Sequence, residues 1–204
     1  MSQSIALLTA AVALICAVVL FFAIDRLPAT RGGWIAVGLV VCLLPALATT
    51  TGTTYAVSAS STTEFCLECH EMGDYGHSLF LDDRAVLPAV HYQNRLVDRD
   101  RVCYECHTDY AMWGDFKAKL NGLKHVWVHY LGEVPEQLEL YQPYPNYNCL
   151  HCHEDARSYV ESAPHRDQLE ALTAGERSCL ECHGRGHALD QLQEDGEAEF
   201  WLGP

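Results

Sequence analysis

Two cysteines separated by two residues and followed at once by a histidine occur four times in this chain: Cys66-Leu67-Glu68-Cys69-His70, Cys103-Tyr104-Glu105-Cys106-His107, Cys149-Leu150-His151-Cys152-His153 and Cys179-Leu180-Glu181-Cys182-His183. In such a unit the two thiols can form thioethers with the vinyl groups of a haem, and the adjacent imidazole can bind its iron. A redox dithiol or half a zinc site would account for one copy, but neither requires a histidine after every pair. Four covalently bound haem c groups are therefore expected. They constrain the fold severely, because the residues after Ser60, shared among four motifs, are too few to build an ordinary core around each. The haems themselves are expected to supply most of the core. Regular strand patterns are scarce, and Pro135, Pro143, Pro145 and Pro164 punctuate the chain between motifs. The expected fold is mainly α, with N-terminal transmembrane helices and a multihaem cytochrome c domain with long loops.

The two cysteines outside the motifs, Cys16 and Cys42, lie in apolar runs, where a thiol behaves as a small hydrophobe. Ile5 to Ile24 is uncharged and long enough to cross a bilayer as a helix. A second run, from Trp34 to about Val57, turns rich in Thr and Ser, and its Pro45 is expected to kink the helix or mark where it leaves the bilayer core. Arg26 and Arg31, in the connection 25–33, are the only Lys or Arg before Arg84, so this loop is expected on the cytoplasmic side. Both termini are then periplasmic, the side on which haem attachment to such motifs takes place. The expected organisation is a two-helix membrane anchor over 1–59, a periplasmic tetrahaem domain over 60–190 and an acidic tail over 191–204. A cleaved signal peptide is a rival for the first run, but that run lacks a basic start and a small-residue cleavage site. If the second run were only interfacial, this topology would fail.

The formal charge of −14 falls almost wholly after Ser60. Such a field disfavours nucleic acid and favours basic partner surfaces. The tail ends Phe200-Trp201-Leu202, either a frayed terminus or an aromatic docking element.

Each low-spin haem takes two axial ligands, of which His70, His107, His153 and His183 can supply one apiece. Seven further histidines, His77, His91, His125, His129, His151, His165 and His187, exceed the four remaining positions. Met72, two residues after His70, offers a thioether, which raises a haem's potential relative to bis-histidine ligation.

The hydrophobic anchor, C-x-x-C-H-x-M, a histidine in His91-Tyr92-Gln93-Asn94, a second motif, a basic amphipathic stretch and two further motifs together resemble the NapC/NirT/NrfH family of membrane-bound quinol dehydrogenases, over roughly Thr62 to Leu189. The resemblance implies that the haem on Cys66 and Cys69 lies nearest the membrane and accepts electrons from quinol. One branch of that family binds this iron through the methionine at the position of Met72. The resemblance also implies that His91 reaches the fourth haem and that His187 ligates the third. Phe116 to His125 resembles the stretch lining the quinol pocket, where one branch uses a lysine as distal ligand to the second haem and an acid near the first. Lys117 falls at the lysine, with Lys119 nearly as close, and His125 falls at the acid. This departure leaves His129 and His165 as alternative ligands.

Oxidising a quinol, menaquinol or ubiquinol, releases two electrons and two protons, so proton acceptors are needed near pH 7. Histidine serves without help, and a carboxylate serves if partly buried. His125 is the first candidate and Asp74 the second, ahead of Glu71, Glu64 and His77, and Lys124 could hold the headgroup oxygen. The expected partners are the membrane quinone pool and a periplasmic reductase or cytochrome, or a membrane complex; an oligomer is possible. Two rival functions are a passive electron-transfer subunit without a quinol site and a haem enzyme acting on a small nitrogen or sulfur species.

Overall fold

A computed structural model of the chain describes residues 3–23, 30–135, 138, 140–184 and 186–194. The loop expected at 25–33 lies mostly outside these residues, as does the tail beyond 194. The chain divides into two compact units, Met1–Ser61 and Thr62–Pro204. No strand occurs among the described residues, and the elements are helical throughout.

In the first unit, α1 (Gln3–Ala23) packs along α3 (Leu44–Ala59). Between α2 (Arg31–Gly38) and α3 the helix does not end. It opens into a π turn over Leu39–Leu43, where the Leu44 N–H reaches back to the Leu39 carbonyl. The cause is Pro45: with no N–H to donate one turn back and a ring that crowds the preceding turn, it is accommodated by a wider register. Pro45 thus neither ends nor sharply breaks the run, and Arg31–Ala59 is long and apolar enough to cross a membrane. The apolar stretch Leu7–Ala23 within α1 is shorter. Two of the hydroxyls that make α3 look polar are satisfied internally: Thr51 Oγ1 donates to the Leu47 carbonyl at 2.6 Å and Thr54 Oγ1 to the Thr50 carbonyl at 2.8 Å. Back-bonded hydroxyls of this kind do not oppose burial in lipid.

The second unit consists of short helices joined by turns: α4 (Thr63–Leu67), α5 (Gly73–His77), α6 (Leu87–Gln93), α7 (Val102–His107), the long α8 (Gly114–Leu131), α9 (Asn146–His153), α10 (Arg157–Val160), α11 (Ala163–Arg166), α12 (Leu169–Ala174) and α13 (Leu189–Glu194). Their side chains bury little apolar surface among themselves. Leu150, Tyr159 and Leu172 form one small cluster, with Ala156, Val160 and Leu169 against it.

Polar ties do much of the positioning. Thr63 Oγ1 donates to the Arg99 carbonyl at 2.8 Å and accepts from the Val102 N–H at 3.0 Å, which sets α4 beside the start of α7. Asn146 is fully used: its amide donates to the carbonyls of Leu172 and Arg177, and its oxygen accepts from the Cys179 N–H at 2.9 Å. Tyr144 donates to the Cys106 carbonyl at 2.6 Å, and Asn148 to the Thr108 carbonyl at 2.8 Å.

Candidate functional site

These ties bring the four motifs together in chain order. Cys66 and Cys103 lie side by side, and the neighbouring Cys103 together with burial raises the Cys66 thiol. Tyr144 and Asn148 hold the end of the second motif against the entry to the third. Asn146 joins the third to the fourth, and Cys149 contacts Cys179, burial raising the Cys149 thiol to about 11. The motifs differ in local form. The second and third are helical throughout, in α7 and α9, whereas the first passes from α4 into the 3-10 turn His70–Met72 and the fourth begins in the 3-10 turn Cys179–Glu181.

Each motif histidine has a second histidine facing it. The ring centres are 6.1 Å apart for His70 and His129, 6.0 Å for His107 and His187, 6.2 Å for His153 and His91, and 5.9 Å for His183 and His165. With metal–imidazole bonds of about 2.0 Å, two axial rings on one iron have centres roughly 6 Å apart. The donor set and spacing therefore fit four haems, each held between two imidazoles.

The tautomers fit as well. His91 Nδ1 lies 2.8 Å from the Leu87 carbonyl and His165 Nδ1 3.2 Å from the Tyr159 carbonyl. A carbonyl only accepts, so each Nδ1 carries the proton and leaves Nε2 bare. Ser78 Oγ gives its proton to the Tyr75 carbonyl at 2.7 Å, and so accepts from His187 Nδ1 at 2.8 Å. His129 Nδ1 lies 2.6 Å from Glu71 Oε1, a carboxylate in place of the neutral acceptors used by the other three. Anchoring the far nitrogen in this way orients a ligating imidazole and sets its basicity. The other Glu71 oxygen, Oε2, is buried without a hydrogen bond; it lies 2.9 Å from His70 Nδ1 but out of line with it.

Burial keeps several of these rings neutral, as iron binding requires. His187 is pushed down to about 4 by burial and by the neighbouring His107, and His107 is lowered by burial and then by His125. His153 is lowered by burial and by His91 and His183.

The arrangement departs from several expectations. His91 faces His153 of the third motif and not the fourth, and His187 faces the second motif and not the third, because Ser78 and Tyr75 draw His187 toward His107. Lys117 does not face His107; its Nζ is held by Asp109 at 2.8 Å. His125 lies beside Tyr141, with Nδ1 3.3 Å from its hydroxyl, and it is His129, one turn further along α8, that meets His70. Met72 ends the 3-10 turn after His70, half-buried. Asp74 is exposed in the first turn of α5. Lys124 does lie with His125, its Nζ 3.5 Å from the centre of the Tyr141 ring. Glu71, Ser78 and Tyr141 carry no spacing signal that singles them out as anchors, since each acts across a long loop.

A family model, the NapC/NirT cytochrome c family, N-terminal region, matches residues 29–192, most of the chain. The chain belongs to the NapC/NirT cytochrome c family. Membership implies covalently bound haem c, in agreement with the four attachment motifs. Among curated relatives, this NapC/NirT cytochrome is similar to the denitrification system component NirT of Stutzerimonas stutzeri, 26% identical over 86% of this chain and 92% of that one. It is 25% identical to the cytochrome c-type protein NapC of Haemophilus influenzae over 77% of this chain and 84% of that one. The cytochrome c-type protein TorC of Escherichia coli is 24% identical over 81% of this chain, which spans 43% of TorC. No solved structure matches significantly.

Proposed function

We propose that this NapC/NirT cytochrome is a membrane-bound tetrahaem protein that oxidises quinol and relays electrons through four haems to a periplasmic reductase or redox partner. The observation that carries this reading is the fourfold pairing of a motif histidine with a second, Nδ1-anchored histidine, in motifs that adjoin one another in chain order. The haem on Cys66 and Cys69 takes His70 and His129, that on Cys103 and Cys106 takes His107 and His187, that on Cys149 and Cys152 takes His153 and His91, and that on Cys179 and Cys182 takes His183 and His165. In this reading, residues 1–59 anchor the chain in the cytoplasmic membrane, with both termini and the domain at 60–190 on the periplasmic side.

Bound haem supplies a one-electron iron couple; the protein supplies positions and proton acceptors. Quinol gives up two protons with its two electrons. His125 is neutral at pH 7 because burial, and then Lys124, lowers its pKa. In the tautomer whose Nδ1–H donates to the Tyr141 hydroxyl, its Nε2 is bare and can take a quinol proton. The Lys124 ammonium, held over the same tyrosine, can donate to the headgroup oxygen.

The test is stopped-flow reduction of the haem-loaded, purified chain by a menaquinol analogue, with His125→Ala alongside. The reading predicts rapid reduction of the natural chain and a loss of about a hundredfold or more in the variant, the usual range for one proton acceptor. An intact, fully haem-loaded chain that quinol does not reduce would instead be a passive electron-transfer subunit fed by a partner.

A further inference from the structure

Helix α8 is amphipathic with its apolar face turned outward. Phe116, Leu120, Leu123, Trp127, Tyr130 and Leu131 follow one another at helical spacings of i, i+4, i+7, i+11, i+14 and i+15, which confine them to one stripe about 100° wide. All are exposed, from 49% for Leu120 to 75% for Tyr130. The opposite side carries His125 and His129, which hold to Tyr141 and Glu71, so the helix is not simply misplaced; its polar face is the one engaged with the domain. Just before the helix, Met112 and Trp113 are exposed too. Trp113 has a φ of 70°, a left-handed backbone that a bulky residue rarely adopts, yet its indole is presented to the outside.

From this we infer that the outward face of α8 lies on an anionic lipid surface as an in-plane helix. Three observations favour lipid over a second protein. Lys117 and Lys124 flank one edge of the stripe and Lys119 the other; Lys117 is paired with Asp109, whereas Lys119 and Lys124 lie over the rings of Tyr104 and Tyr141, so α8 carries three lysines against one carboxylate of its own, Asp115, in a chain of net charge −14. The acidic domain would be repelled by anionic headgroups at most other places, and α8 is where the sign reverses. The stripe also holds Trp127 and Tyr130, with Trp113 beside it, side chains whose apolar body and polar tip suit the boundary between headgroups and acyl chains. Finally, Ala59 ends an apolar helix long enough to span a bilayer, and Thr62 begins the domain, so a lipid surface is tethered within a few residues of it. A tether raises the effective concentration of the surface, so a weak face suffices. The inference rests on the proposed reading only through that span, and the experiment below reports on the span separately.

Site-directed spin labelling of the haem-loaded full chain in nanodiscs containing phosphatidylglycerol tests it. Thioether-bound cysteines do not react, so removing Cys16 and Cys42 leaves Leu123→Cys as the labelled site. Asp155→Cys in the same background is the aqueous reference, and native Cys42, with only Cys16 removed, reports on the span. Collision with oxygen marks lipid, and collision with a water-soluble nickel complex marks water. The proposal predicts an oxygen-to-nickel ratio at position 123 at least threefold above that at position 155, falling to the aqueous value when Leu120→Glu and Trp127→Glu are added. Uncharged phosphatidylcholine discs should lower the ratio at 123. A ratio at 123 equal to that at 155, while Cys42 still reads lipid, overturns the proposal and leaves the span intact. Exclusion of both probes at 123 also overturns it, since a protein, either a second copy or a reductase, then covers the face.

Discussion

In the proposed tetrahaem reading, Glu71 is the residue whose chemistry sets one haem apart from the other three. A carboxylate on the Nδ1 proton of His129 gives that imidazole more anionic character than a carbonyl or hydroxyl would, which stabilises ferric iron and lowers the potential. Glu71 stays ionised below the usual carboxylate range, chiefly because its own backbone amide donates to it and then because His129 does. Glu71→Gln should therefore raise the first haem's midpoint by about 60 mV, a tenfold change in its one-electron equilibrium, in a potentiometric titration that leaves the other three haems in place. His187 gives a pH dependence whose sign follows from burial. Buried against His107, it is held unprotonated in the folded chain, whereas the unfolded imidazole takes up a proton below about 6.5. Urea midpoints should therefore fall as pH drops below about 6.5.

At the scale of elements, α8 depends on how it begins. A Cβ on Gly114 would fall 1.4 Å from the Asp109 carbonyl oxygen, an overlap with backbone that side-chain adjustment cannot relieve. Gly114→Ala should cost at least the 1–3 kcal/mol of a typical overpacking change, seen as a lower thermal midpoint, and should loosen His129 from Glu71 as the helix start shifts. Much about the elements was legible in the sequence. The haem motifs are local in spacing, and the second apolar run, read from Trp34 to about Val57, lies within the helix Arg31–Ala59. The π turn was legible only in part: Pro45 signals trouble in a helix but not how the backbone resolves it. The choice between His125 and His129 was not legible, because residues one turn apart on α8 share a face and only Glu71, distant in sequence, decides which one meets His70. His91, His165 and His187 were similarly recognisable as candidates, whereas their motif partners depend on non-local ties through Ser78, Asn146 and Tyr144.

At the scale of the whole molecule, the order of the motifs along the chain is also their order in space, because each consecutive pair is joined by a specific contact: Cys66 with Cys103, Tyr144 and Asn148 with the second motif's end, and Asn146 with Cys179. A relay needs that order, and it needs every iron saturated by protein ligands so that electrons pass without a substrate binding at the metal. The most direct test is a haem count by mass together with near-infrared magnetic circular dichroism of the oxidised full-length protein, in which the charge-transfer band distinguishes bis-histidine from histidine–methionine and histidine–lysine ligation. The account predicts four haems per chain, all in the bis-histidine class. Fewer than four haems, or a band from Met72 or Lys117 ligation, would contradict it.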